Sequence, residues 1–251
     1  LNILITGASS GLGEALALDY AGPDVRLFLS GRSAERLEAV VSACRAKGAE
    51  AEGWVIDVSD REAMAEWIAE IEQEAPLDLL IANAGISAGD PSLMFLPAQE
   101  RSRAIFSVNL DGVLNSVLPV IEPMKARGQG QIVLMSSLAG MRGFPSAPAY
   151  CAAKAAVRVW GEGLRGQLAP FGIKVSVICP GFVKSRITAR NRFPMPFLME
   201  PAPAARIIVK TVRANQGLIA FPWPLACVMA VVARLPHALF NWLSRKLPEK
   251  E

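Results

Sequence analysis

Short apolar, β-branched runs alternate along the chain with longer stretches in which apolar positions recur every three or four residues. The runs at 1–6, 25–30, 52–58, 77–82, 131–136 and 174–179 have the length and composition of strands. Between them, 33–47 puts Leu37, Val40, Val41 and Cys44 on one face, and 59–74 does the same with Met64, Trp67, Ile68 and Ile71, which is the period of a helix with one buried stripe. Strand and helix therefore alternate six times. Each return to the same end of a sheet needs a right-handed helical crossover. The pattern predicts an α/β fold: a Rossmann-type doubly wound parallel sheet of six to seven strands, with helices on both faces and a C-terminal helical tail.

Composition narrows the picture. Of 251 residues, 52% are hydrophobic and 20% charged, enough apolar material to cover a sheet on both faces, and no repeat or Gly/Ser-rich linker marks a boundary. One domain over 1–251 is expected, with a core at 1–221 and an apolar extension at 222–251. The formal charge of +3 comes from nearly balanced acids and bases without a basic run, so nucleic acid is not an expected partner. Cys44, Cys151, Cys179 and Cys227 are far apart and lack a CxxC pair, so neither a disulfide framework nor a metal site is predicted. The chain opens on an apolar run with no basic segment or small-residue cleavage site, and a cytoplasmic, reducing location is expected. With His237 the only histidine, acid/base chemistry falls to Tyr, Lys, Asp or Glu.

Directly after the first apolar run stands Thr6-Gly7-Ala8-Ser9-Ser10-Gly11-Leu12-Gly13, followed by a helical segment at 14–20. Glycines in a strand-to-helix turn let the backbone approach a pyrophosphate, whose charge sits on the free N–H groups of the helix start. A tight turn without a ligand is the plainer alternative. About 20 residues further on, an NAD-preferring fold has an acidic residue, whereas this chain has Ser30-Gly31-Arg32-Ser33. Arg32 offers a planar fork suited to a phosphate, and no carboxylate at the strand tip is expected to oppose it. NADP (NADPH) is the expected cofactor in preference to NAD.

These motifs, with Asp57-Val58, Asn83-Ala84-Gly85, Asn109, Ser137, Tyr150, Lys154 and Pro180-Gly181 in the same order, resemble the compact branch of the short-chain dehydrogenase/reductase family over about 1–221. The resemblance implies cofactor contacts at Gly7, Ser9, Ser10, Gly11, Leu12, Gly13 and Arg32. Asp57 and Val58 would lie beside the adenine, and Asn83, Ala84 and Gly85 would shape the switch point. Pro180 and Gly181 would lead a loop to the nicotinamide, with Val183 and Ser185 facing its carboxamide; Ser185 stands where the family more often has Thr. Asp57 could instead cap the following helix, a task for which Ser59 is the better candidate.

Tyr150 and Lys154 lie one turn apart in a helical segment at 149–168, where a neighbouring ammonium favours the phenolate and lowers the tyrosine's titration point. The resemblance makes Tyr150 the acid/base and Lys154 a cofactor contact as well, and it picks Ser137 over Ser136 as the partner of the substrate oxygen. Asn109 would complete the set, its backbone holding a relay water; alternatively it satisfies a buried backbone group inside a helix. Tyr20 is read as packing.

The segment 186–200, with Phe193, Met195, Phe197, Leu198 and Met199, falls where the family carries a lid, and its apolar character points to a small apolar alcohol or carbonyl substrate. Arg186, Arg190 and Arg192 are either solvated or meet an anionic substrate group. In the tail, Leu235, Leu239, Trp242 and Leu243 share a helical face. That face is expected to pack over the cleft or against another subunit; contact with a membrane surface, with Arg245 and Lys246 flanking Trp242, is the alternative. Gly161, Gly163 and Gly166 suggest close helix approach in a homodimer or homotetramer through 108–124 and 149–168. Three functions are consistent with the motifs: an NADP-dependent alcohol dehydrogenase or carbonyl reductase, a 3-oxoacyl thioester reductase, and a non-catalytic NADP(H)-sensing protein. The intact Ser137, Tyr150 and Lys154 set favours an enzyme.

Overall fold

The computed structural model describes residues 1–87, 89–90, 93, 95–186, 188–189 and 194–244. Seven parallel strands form one sheet: β1 (Asn2–Ile5), β2 (Arg26–Gly31), β3 (Glu50–Val55), β4 (Leu79–Ala82), β5 (Gly130–Met135), β6 (Ile173–Pro180) and β7 (Leu218–Phe221), in the order β3-β2-β1-β4-β5-β6-β7. The chain runs outward from β1 in one direction, then returns to β4 on the other side of β1. The carboxyl ends of β1 and β4 thus diverge into the crevice in which such sheets bind ligands.

Helices cover both faces. On one, α1 (Gly11–Tyr20), α2 (Ala34–Ala46) and α7 (Pro201–Arg213) bury Leu16, Val41, Ile208 and their neighbours against Ile3, Ile5 and Leu29; Tyr20 belongs to this core. On the other, α3 (Arg61–Glu74), α5 (Gly112–Arg127) and α6 (Pro148–Leu168) bury Met64, Ile68, Val117, Val120 and Val157 against Leu4, Leu80 and Ile132. The buried faces of α2 and α3 are the eight residues picked out by periodicity.

Some boundaries move. The third strand, expected at 52–58, pairs over Glu50–Val55, because its partner β2 ends at Gly31 opposite Val55 and nothing remains to hold Ile56, Asp57 and Val58 in the ladder. Those three residues turn into the crevice. Neither Asp57 nor Ser59 caps α3: Asp60 does, accepting from the Ala63 N–H at 3.0 Å, while Asp57 accepts from both the N–H and the hydroxyl of Ser59 in a local turn. The helix expected at 108–124 is longer. α4 (Ala98–Phe106) continues through a π-helical turn, Ser107–Asp111, into α5. This stretch is long and apolar enough to cross a membrane by length and composition, yet α5 buries Val113, Val117, Val120 and Met124 in the core, as a core helix does.

The tail forms α8 (Trp223–Arg234) and α9 (His237–Ser244). Its inner side meets the loop after β5: Leu225 and Met229 join the cluster containing Leu138, Met141 and Phe144, and the Phe144 and Phe240 rings meet edge to face at 5.7 Å. Arg142 clamps this contact, donating to the Ala233 carbonyl at 3.2 Å, lying 3.3 Å from His237 Nδ1 and stacking 4.5 Å from the Phe240 ring centre. The contacts are thus made by Leu225, Met229 and Phe240, whereas Leu239 and Leu243 of the face expected to pack are exposed. Trp223 and Trp242 remain largely exposed on the outer side, and Arg245 and Lys246 lie outside the described residues.

Candidate active site

The glycine turn is built by exclusion. Gly7 and Gly11 have φ of +66° and +61°, and a Cβ on Gly13 would stand 2.3 Å from the Gly7 carbonyl oxygen and 2.5 Å from Asn83 Nδ2. The turn is tied to the end of β4: the Thr6 hydroxyl accepts from the N–H groups of Asn83 and Ala84 at 3.0 and 3.1 Å, and the Asn83 amide donates to the carbonyls of Thr6 and Gly7. Ser10 precedes α1 without a side-chain cap bond. The first-turn N–H groups, which have no intrahelical acceptor, are thus left for an anion.

One cleft runs along the carboxyl edge of the sheet. Gly7, Ser9, Ser10, Gly11, Leu12 and Gly13 line it from the first turn, and Arg32 from the end of β2. Asp57 and Val58 line it after β3, Asn83, Ala84 and Gly85 after β4, Pro180, Gly181, Val183 and Ser185 after β6, and Tyr150 and Lys154 from α6. The structure thus gathers every sequence-level cofactor candidate into one groove, whose glycine cradle fits a dinucleotide pyrophosphate. Thr188, not foreseen, shapes the β6 loop by accepting from the Ser185 N–H at 2.9 Å and donating to the Val183 carbonyl at 2.9 Å. Gly11 admits this loop: a Cβ there would lie 3.1 Å from Ser185 Cβ. Arg186 also lines the cleft; Arg190, Arg192 and Phe193 lie outside the described residues.

At the end of β2 the expectation needs correcting. A carboxylate does reach Arg32: Asp90, from the loop after β4, places Oδ2 4.0 Å from Arg32 Nη2, a contact between segments too far apart in sequence for local pattern to disclose. Arg36, in the first turn of α2 and also lining the cleft, adds a second guanidinium.

The catalytic candidates converge around α6. Ser137 acts on Tyr150 against the upward push of burial, while its hydroxyl donates to the Pro180 carbonyl at 3.5 Å and accepts from the Ala139 N–H at 3.1 Å. Lys154, 4% exposed, donates from Nζ to the Met135 carbonyl at 2.8 Å and lies 5.9 Å from the Tyr150 ring centre. Ser136, the rival of Ser137, instead donates to the Lys154 carbonyl at 2.7 Å and braces α6 on β5. The expected lowering of Tyr150 by Lys154 is not seen. Burial pushes the tyrosine up and outweighs Ser137, while burial also pulls Lys154 down to about 8.

Asn109 sits in the π-helical turn, fully buried and behind the cleft wall. Its side chain accepts from the Ile86 N–H and donates to the Ile86 carbonyl, both at 2.8 Å, so it satisfies a buried backbone pair. A Cβ on Gly85 would meet both Asn109 Oδ1, at 2.9 Å, and Lys154 Nζ, at 3.4 Å, so the asparagine holds this segment hard against the lysine. Irregular helical turns of this kind recur at functional sites because they re-aim one residue.

Residues 1–194 match the family described as short chain dehydrogenase. The chain belongs to the short-chain dehydrogenases. It is 41% identical over 245 residues to an uncharacterized oxidoreductase of Myxococcus xanthus, covering 97% of this chain and 96% of the relative. A 3-oxoacyl-acyl-carrier-protein reductase of Thermotoga maritima is 31% identical over 221 residues, covering 82% and 87% of the two chains. Among solved structures, a short-chain dehydrogenase from Sphingobium yanoikuyae in complex with NADPH superposes with a TM-score of 0.81 at 23% identity, over 100% of this chain and 97% of that one. This short-chain dehydrogenase is thus a nucleotide-binding oxidoreductase with a Rossmann-like fold.

Proposed function

We propose that this short-chain dehydrogenase interconverts an alcohol and a ketone or aldehyde on a hydrophobic small molecule, with NADP(H) as cofactor and Tyr150 as acid/base. The observation that carries the reading is a half-buried tyrosine beside Ser137 and a buried lysine, in a groove whose other end is a glycine turn without a side-chain cap. The dinucleotide, when bound, supplies or accepts the hydride. The first turn of α1 would hold its pyrophosphate, and Arg32 and Arg36 its 2′-phosphate.

In the reduction direction Tyr150 Oη gives its proton to the carbonyl oxygen, and in oxidation it takes that proton back. Ser137 Oγ, whose hydroxyl makes only a long bond to the Pro180 carbonyl, would turn to donate to the same substrate oxygen. The Lys154 ammonium stabilises the phenolate that proton transfer leaves behind. Asn109 is a positioning residue that acts through Ile86 and Gly85.

An apolar substrate is supported by Phe197 and Leu198, exposed in the lid segment. A 3-oxoacyl thioester is the second reading, favoured by the Thermotoga maritima relative, and it would use the same residues.

Screening hydrophobic ketones, aldehydes and acyl thioesters for NADPH oxidation tests both readings. On the best substrate, Tyr150→Phe should lower turnover by at least about two orders of magnitude with NADPH affinity little changed, since a positioned proton carrier contributes ~10²–10⁴-fold. Turnover near the parent rate would rule out Tyr150 as the proton carrier.

A further inference from the structure

Arg32 is not a lone cation awaiting a phosphate. Its Nη2 faces Asp90 Oδ2 at 4.0 Å, and the Arg32 side chain is 48% and the Asp90 side chain 18% exposed. The two come from loops on opposite sides of β1, and both line the cleft. The Asp90 backbone is fixed locally, its N–H donating to the Ser87 carbonyl at 2.9 Å and its carbonyl accepting from the Leu93 N–H at 3.0 Å. Any group that Arg32 binds therefore enters the field of a carboxylate anchored nearby.

We propose that Asp90 is a specificity-determining residue for the cofactor: its carboxylate competes with the 2′-phosphate of NADP(H) for the Arg32 guanidinium. The inference rests on the reading of Arg32 as the 2′-phosphate contact. A phosphate dianion on Arg32 must displace Asp90 or sit close to it, and like charges at that range oppose binding. NAD(H) carries a neutral hydroxyl at the same place, so the carboxylate sets NADPH affinity without a matching effect on NADH. The pair's own attraction is modest because Arg32 is half exposed. The larger effect is repulsion felt when the phosphate arrives. Asp90 thus holds the preference for NADP below what Arg32 and Arg36 alone would give.

Fluorescence titration of NADPH and NADH against the full chain, Asp90→Asn, Arg32→Ala and the double variant tests this at fixed ionic strength. Asp90→Asn should tighten NADPH by about threefold to tenfold and leave NADH within about twofold, and the gain should vanish in the Arg32→Ala background. Asparagine keeps the shape of the side chain; Asp90→Ser, expected to shift NADPH the same way, replaces it if melting curves show that Asn disturbs the fold. An unchanged NADPH to NADH ratio, or an equal gain without Arg32, overturns the proposal. So does weaker NADH binding in Asp90→Asn, which would make Asp90 an acceptor for the ribose hydroxyl. A parent chain that prefers NADH and ignores Arg32→Ala would instead overturn the NADP reading itself.

Discussion

Among the described residues, Lys154 carries the plainest pH signature. Burial holds it at about 8, against 10.5 for an ordinary lysine, so the cost of burying its charge is present in full below about 8. As pH rises from about 8 to about 10.5, the unfolded chain keeps a proton that the folded chain has released, and this residue's contribution to stability rises. Urea unfolding across that window should show the rise in the parent protein and its loss in Lys154→Met; an unchanged slope in the variant would assign the effect elsewhere. Carbonyl reduction should run the other way. With Tyr150 pushed up by burial and still protonated, the rate should fall as pH passes about 8 and the ammonium that stabilises the phenolate is lost. A rate that climbs through that range would contradict the role given to Lys154.

Among the elements, α1 and α6 make opposite use of glycine. In α1, Gly13 faces backbone that cannot yield, so Gly13→Ala should destabilise the fold by about 1–3 kcal/mol and weaken cofactor binding. In α6, a Cβ on Gly163 meets nothing within 4 Å of the single chain, and in the monomer Gly163→Ala should gain about 0.5–1 kcal/mol from helix propensity. Thermal melts of both variants check the contrast. What the sequence disclosed follows the same division. Local pattern located the glycine turn, the buried stripes of α2 and α3 and the Tyr150–Lys154 face, since each depends on residues within a few turns of one another. It did not locate the end of β3, which depends on where β2 stops, or the π-helical turn at Asn109, which depends on the Ile86 backbone 23 residues earlier. Nor did it reveal the Asp90 contact, made across the sheet. Gly161 also reads differently in three dimensions: a Cβ there would strike Leu134 and Val177 at 2.5 Å, so it admits the sheet and not a neighbouring subunit.

For the whole molecule, the outward faces of α5 and α6 still expose Leu118 and Val159. A homodimer or homotetramer through this face is the expectation. Light scattering at micromolar concentration should report it, and Leu118→Glu with Val159→Glu should give monomers; an assembly indifferent to both charges would place the interface elsewhere. The bonds from Thr6 and Gly7 to Asn83 bear on ancestry as well as on architecture. Gly13 has no room because Asn83 and the Gly7 carbonyl occupy it, and Asn83 is held there by carbonyls up to 77 positions away. These residues cannot drift one at a time. Across descendants of a common gene they should be inherited as a block, and a saturation library should find nearly every single replacement at Gly13 or Asn83 lethal to folding or binding while Gly22, with nothing within 4 Å of its Cβ position, accepts most.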